Sequence, residues 1–174
     1  MEFVYVPSGE FAAGWAAPGF GRQTTRKIRL DGFWIAKNDV TVSQFFDYCA
    51  ASGYKFDWDG RRPDWFWEAD DRPMVAVTSE EARAYCKWAG GDLPTEAQWE
   101  KAARGTDGRL FPWGNDWQIN SCWCSQDGGE KTEPAPIGSF PKGASPYGCL
   151  ADPITAQIHV SRRIFVDPRI THPE

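Results

Sequence analysis

The stretch Tyr85–Gly105, YCKWAGGDLPTEAQWEKAARG, decides the fold of this chain. Its first part ends a helix, because the apolar residues at helical spacing stop at Gly90. Its second part begins another helix after Thr95, whose hydroxyl can accept from the first turn while Gln98 reaches back to the cap. The stretch therefore predicts two consecutive helices joined by a tight connection that contains Gly and Pro.

The same capping pattern occurs twice more, upstream of this stretch. Thr41 is followed three residues later by Gln44, and Thr78 by Glu81, each just before an apolar stripe with helical spacing. Three capping boxes in one chain predict about three helices.

The first residues of the chain, Phe3–Val6, alternate aromatic and β-branched side chains, as strands do. Phe3–Val6 and residues 10–14 are extended pieces that can form a hairpin around Pro7. Residues 28–30 and 33–35 are two more short strands on either side of the turn-forming dipeptide Asp31-Gly32. After residue 105, Gly and Pro interrupt every run, so the pattern predicts a loop-rich α+β domain with short antiparallel strands.

The composition of the chain excludes several classes of function before any motif is considered. The chain has 174 residues, 41% hydrophobic residues, ten Trp and a net charge of −5, which suits one domain with a real core. An acidic balance disfavours nucleic-acid and membrane-surface binding. No apolar run approaches the length of a membrane span, and residues 1–7 have no basic segment, so we expect a cytoplasmic protein. An odd number of cysteines, five, favours free thiols in a reducing compartment.

Read in order, these segments resemble the formylglycine-generating enzyme (sulfatase-modifying factor) family. The resemblance implies that family's variant of the C-type lectin fold, and it extends over residues 3–150. The segments that carry it are Phe3–Phe11, Phe33–Thr41, Arg72–Thr78, Tyr85–Gly105, Phe111–Asn115 and Ala135–Pro141.

The resemblance breaks after Ser145–Leu150. There the family continues into a core strand of the type Gly-Asn-Val-Trp-Glu-Trp, whereas this chain reads Ala151–Val160, ADPITAQIHV. We therefore divide the chain into an incomplete family domain, residues 1–150, and a divergent tail, residues 151–174. Truncation, a shifted reading frame and a diverged short form each explain the break. The apolar residues of the tail are expected either to replace part of the missing core or to dock on a second copy.

The family's activity implies two close thiols that hold Cu(I), with oxygen converting a substrate cysteine to formylglycine. The closest pair of cysteines in this chain is Cys122 and Cys124. An extended backbone would place their side chains on one face of the strand, about 7 Å apart. Soft thiolates suit copper, but the family keeps its catalytic thiols elsewhere, so their role is not carried over. Ordinary loop thiols, a copper or zinc site and a redox disulfide all remain open for this pair.

The family also implies a structural calcium site. Asn120 matches its first position, Ser121 can supply a backbone carbonyl, and Asp127 is a plausible but unaligned further ligand. Calcium needs six to eight oxygen ligands, so a loop Asn that caps a turn is the alternative.

An aromatic run, Tyr54–Trp67, lies between the first two predicted helices. The indoles of Trp58, Trp65 and Trp67 can stack on a sugar ring or a peptide, or they can fill the core of a loop-rich domain. Both histidines lie in the tail, which leaves no credible Ser–His or Cys–His pair.

Together these observations predict a catalytically deficient family member that binds a ligand, with a protein or peptide as partner and calcium as the candidate cofactor. Self-association through the tail is a further expectation. The alternative is a copper- and oxygen-dependent oxidase, or a fragment of one.

Overall fold

A computed structural model describes residues 1–14, 25–58, 70–123, 134–150 and 165–166. Its larger sheet contains β1 (Phe3–Val6), β4 (Phe33–Ala36) and β5 (Phe165–Val166), in the order β1-β4-β5. A second sheet pairs β2 (Gly9–Ala13) with β3 (Arg26–Leu30). All the pairings are antiparallel.

The strands pair differently from the hairpins that the sequence suggested. β1 pairs with β4, with Val6 opposite Phe33, rather than with β2, and β3 and β4 belong to separate sheets. The reason is burial, because the β1–β4 pairing places Val6, Phe33 and Ile35 on one face, where all three are buried. The short connections at Pro7 and Asp31 carry the chain from one sheet to the other.

Three helices follow: α1 (Val42–Ser52), α2 (Ser79–Trp88) and α3 (Glu96–Arg104). Each begins after a Thr with both bonds of a capping box, as the sequence predicts. Helix α1 ends at Gly53, whose φ of 71° is the left-handed conformation that glycine adopts without a steric penalty.

The core forms on both faces of the larger sheet. On one face Val6, Phe33 and Ile35 pack with Ala102 of α3 and with Cys149. On the other face Ala36 joins a cluster built mainly from α1 and α2. The sheet thus holds the three helices and the C-terminal loops in fixed positions.

Two residues of the tail take part in the fold. β5 pairs with β4, with Phe165 opposite Ile35 and Val166 opposite Trp34. The rest of the tail lies outside the described residues, and the division of the chain at residue 150 stays a prediction. None of the helices in the described part has the length and hydropathy needed to cross a membrane.

Candidate functional site

The predicted calcium residues lie at the end of a turn that follows the Trp113 loop. Asn120 is exposed and has a positive φ of 62°, a conformation that Asn tolerates better than most residues. The Ser121 amide donates to the Gln118 carbonyl at 3.4 Å. This geometry is what a loop Asn in a turn adopts, and it leaves the Asn120 side chain at the surface.

Ser121 is fully buried, and its Oγ has no hydrogen-bond partner among the described residues. Its backbone carbonyl, the predicted ligand, packs directly against Gly143, where a Cβ would overlap it. Asp127 lies outside the described residues. The described part of the chain holds no group of three or more His, Cys, Asp or Glu side chains that could bind a metal. The calcium site therefore stays a prediction, and the two described residues supply one exposed amide and one carbonyl that already packs against backbone.

Cys122 is closed to solvent, with 0% of its surface exposed. Its predicted partner, Cys124, lies outside the described residues. A paired-thiol copper site needs two sulfurs that a metal and a substrate can reach, and the buried Cys122 does not fit that requirement.

The other described thiols are also core residues. Cys49 and Cys86 lie in the cluster between α1 and α2, while Cys149 packs against the opposite face of the larger sheet. Burial raises the pKa of Cys49, and it raises the pKa of Cys86 to about 12. All four described cysteines are buried, and the burial makes each one a small apolar side chain rather than a nucleophile.

An aromatic cluster extends from the core to the surface on α1, α2 and residues 54–58. We call its outer part the aromatic surface; it consists of Phe46, Tyr54, Phe56, Trp58 and Trp88. Phe46 stacks on Trp58 with ring centroids 6.4 Å apart, and Phe56 contacts both rings edge-on.

The buried Tyr48 joins the two ends of this surface. It stacks on Tyr54 at 5.7 Å and packs against Trp88 at 5.6 Å. The outer rings stay accessible, since Tyr54 is 37% and Trp88 48% exposed. The Tyr54 hydroxyl donates to a carboxylate oxygen of Glu81 at 3.5 Å, so a polar group borders the rings.

Trp58 is partly buried and packs against the α1–α2 cluster, as a core-filling indole does, and its stacking on a ligand stays a prediction. Trp65 and Trp67 lie outside the described residues. Sequence reasoning missed Tyr54 and Trp88 as the exposed members. The sequence does carry a signal for the exposure of Trp88, because this residue comes after the last buried position of the amphipathic helix α2.

Helix α3 carries a polar network built on Glu100 and Arg104. Glu100 and Arg104 are only 16% and 14% exposed, and Glu100 accepts the Gly14 amide with both oxygens at 3.0 and 3.1 Å. Arg104 donates to the carbonyls of Gly14 and Arg109 at 3.0 and 2.7 Å. These bonds fix the end of β2 and the following loop onto α3.

Lys101, on the same helix, is 1% exposed. Its ammonium donates to the carbonyls of Pro7 and Gly9 at 2.6 and 3.1 Å, in the turn between β1 and β2. Burial, and then the charge of Arg29, lower the pKa of Lys101. Its bonds indicate a structural residue rather than a catalytic one.

A second group of rings lies on the 111–117 loop. Phe111 and Trp113 are parallel at 5.3 Å, and Trp117 meets both edge-on. The loop is held by the Asn115 side chain, which accepts the Leu110 amide at 3.0 Å. Trp117 is exposed, but it lies apart from the aromatic surface in the contacts that the structure records.

A small open cleft lies between Asn38, Asp39 and the 135–140 loop. The Oδ1 atom of Asn38 is buried there without a hydrogen-bond partner. A buried polar atom of this kind is normally satisfied by an ordered water, so the cleft suits water better than a substrate.

Comparisons with known proteins agree with the resemblance. Residues 1–152 match the sulfatase-modifying factor enzyme 1-like domain. The chain is 45% identical to hercynine oxygenase of Mycolicibacterium smegmatis, over 83% of this chain and 42% of that protein. It is 27% identical to the mouse formylglycine-generating enzyme, over 80% of this chain and 53% of the enzyme.

It is also 30% identical to the mouse inactive C-alpha-formylglycine-generating enzyme 2, over 79% of this chain and 61% of that protein. Among solved structures, PvdO from Pseudomonas aeruginosa matches with a TM-score of 0.64 and 23% identity, over 86% of this chain and 66% of PvdO. The predicted α+β fold of the formylglycine-generating enzyme type is confirmed. The chain spans about half the length of the curated relatives it matches. On the match over residues 1–152, the chain belongs to the family of sulfatase-modifying factor enzyme 1-like domains.

Proposed function

We propose that this chain is a catalytically deficient member of its family that binds a protein or peptide ligand. The observation on which the proposal rests is the burial of every described thiol in the core. Oxidation of a substrate cysteine needs reactive sulfurs that are accessible and ionise readily. Cys86, with a pKa of about 12, and the fully buried Cys122 meet neither condition.

The aromatic surface supports the binding part of this proposal. Exposed Tyr and Trp rings give a large contact area at a low cost in side-chain entropy, which is why they are enriched at protein interfaces. Tyr54 and Trp88 are held by contacts with the buried Tyr48, so they are already ordered before a ligand arrives. A preordered surface loses less entropy on binding.

A peptide with the cysteine-containing sulfatase motif tests both parts at once. We expect isothermal titration calorimetry to detect binding, and mass spectrometry to find the peptide cysteine unchanged after incubation with copper and oxygen. Trp88→Ala should weaken binding about tenfold or more, as the loss of a buried interface aromatic does. Trp117→Ala, a comparably exposed indole on the other loop, is the matched control and should leave binding unchanged. Equal losses in the two variants, or no binding at all, would contradict the proposal.

A second function has a specific observation in its favour. The relative with 45% identity is by name an oxygenase, which supports oxygen-dependent oxidation by this chain or by a larger protein that contains it. Oxygen uptake with hercynine, or with the cysteine peptide, in the presence of copper or iron salts distinguishes the two functions. Turnover that is lost in Cys122→Ser or Cys124→Ser would establish oxidation and overturn the proposed deficiency.

We also propose calcium as the cofactor to test first, at Asn120 and Ser121 with Asp127. Binding should raise the melting temperature when calcium replaces a chelator, because a ligand that binds only the folded state stabilises it. Asn120→Ala should abolish that rise if Asn120 is a ligand. An identical melting temperature with calcium and with chelator would remove calcium from the proposal.

A further inference from the structure

Strand β3 is a basic edge strand on an otherwise acidic protein. The chain has a net charge of −5, yet three of the five residues of β3, Arg26, Lys27 and Arg29, are basic and exposed. β3 pairs with β2 on one side. On its other side, the described residues supply no backbone hydrogen bond to it.

The charges of this strand are not neutralised by the neighbours that the structure describes. Glu10 lies opposite Arg29 in the β2–β3 register, but no ion pair joins them within the described part of the chain. Arg29 instead lies close enough to Lys101 to lower the pKa of that buried ammonium, after burial itself. Three basic side chains on β3 thus face a single carboxylate, Glu10, on the strand beside it.

An edge with unpaired N–H and C=O groups is a template for another strand. Pairing of β3 with β3 of a second copy would bring like charges together, and this is how proteins avoid edge-to-edge aggregation. The same charges attract an extended segment with acidic side chains, since main-chain bonds give such complexes their affinity and side chains give them specificity.

We infer that the free edge of β3 binds an extended acidic peptide segment of a partner protein as an added strand. Lys27 and Arg29 lie on the same face of the strand, two residues apart, and Arg26 lies on the other. A segment that alternates acidic and β-branched residues matches this spacing. The inference does not depend on the aromatic surface, which is built from α1, α2 and residues 54–58.

A capped seven-residue peptide that alternates Glu and Val is the probe, and fluorescence anisotropy measures its binding to the full chain. Two comparison peptides carry Lys in place of Glu, or Pro in place of Val. The first reverses the charge, and the second keeps the charge but removes backbone donors. We expect binding of the Glu-Val peptide alone, and weaker binding at higher salt.

The double variant Lys27→Glu/Arg29→Glu should weaken binding about tenfold or more, because two attractive surface pairs become repulsive. Its matched control is Lys55→Glu/Lys142→Glu, which changes the net charge equally at exposed sites away from β3. If the first variant folds poorly, Lys27→Gln/Arg29→Gln gives the same comparison with a smaller change in charge.

Three outcomes would overturn the inference. Equal weakening in both double variants would mean that the probe senses only net charge. Equal binding of the Pro peptide would mean that no strand is added. Absence of binding to the wild type at low salt would leave the basic residues with the sole role of preventing self-pairing.

Discussion

Gly143 is the residue whose replacement tests the packing of the candidate calcium and thiol segment most directly. It is buried in a short 3-10 helix, Pro141–Gly143. A Cβ at this position would lie 3.0 Å from the Ser121 carbonyl carbon and closer still to the carbonyl oxygen. Both partners are backbone, so neither can move aside by changing a rotamer. Gly143→Ala must therefore push residues 141–143 and 120–122 apart.

The size of the effect follows from overpacking, which costs about 1–3 kcal/mol and occasionally more. A clash between two backbone segments belongs at the upper end of that range. For a domain of this size about 1 kcal/mol corresponds to roughly 2–4 °C, so we expect the melting temperature to fall by about 6–12 °C. Differential scanning calorimetry measures it. The separation should also expose Cys122, so that it reacts with a thiol reagent in the folded protein.

Gly108→Ala is the control, because Gly108 has a φ of 74° but a methyl group added there would meet nothing within 4 Å. The Gly108→Ala variant should lose only about 1–2 kcal/mol of unfolding free energy, because alanine is less stable than glycine in the left-handed conformation. Cys122 should stay protected from the thiol reagent. A Gly143→Ala protein that melts within about 1 °C of the wild type, with Cys122 unreactive, would refute this account of how the segment is held.

Three further results are expected. Lys101→Met should destabilise the fold by about 2–4 kcal/mol in urea unfolding, because the carbonyls of Pro7 and Gly9 lose charge-assisted hydrogen bonds. Unchanged stability would mean that removing the buried ammonium offsets this loss. The thiol of Cys86 should resist alkylation at pH 8 until the protein is unfolded, because burial raises its pKa to about 12, and labelling of the native protein would contradict this. Arg109 lowers the pKa of Asp107 to about 2, so the ion pair stabilises the fold above the unfolded-state pKa and its contribution is lost as the pH falls from about 4 towards 2. The difference in melting temperature between wild type and Asp107→Asn should therefore shrink over that pH range. A constant difference would show that the ion pair does not contribute to stability.

The helices were predictable because their signals are local. A capping box involves residues three positions apart, so Thr41 with Gln44 is readable without any knowledge of the fold. The apolar spacing that follows each cap then sets the buried face. All three helices begin where these signals place them.

Strand pairing was not predictable in the same way. Phe3–Val6 and Gly9–Ala13 are close in sequence, but β1 pairs with a strand about thirty residues away. The partner is chosen by which pairing buries the most apolar surface on a common face. A short alternating run contains no information about that choice.

The candidate site residues show the same contrast between local signals and long-range packing. The sequence could place Cys122 and Cys124 on one face of an extended segment, but it could not say whether that face points inward. The neighbours of Cys122 are held by residues distant in sequence, since Ser121 packs against Gly143 and Trp123 contacts Phe140. The exposure of Trp88 likewise depends on where α1 ends, and Tyr54 only becomes its neighbour through Tyr48.

Helix α3 stabilises the scaffold through polar residues that lie apart from the described thiols. Its three polar residues, Glu100, Lys101 and Arg104, bind the β1–β2 turn, the end of β2 and the loop at residue 109. From sequence alone, charged residues at i and i+4 on a helix indicate a solvated face. Here they bond to partly buried backbone groups of the β1–β2 turn, the end of β2 and the loop at residue 109. None of these bonds involves a described thiol or the Asn120–Ser121 turn. The bonds that stabilise this frame are therefore separate from the described thiols, so the fold does not depend on a reactive cysteine.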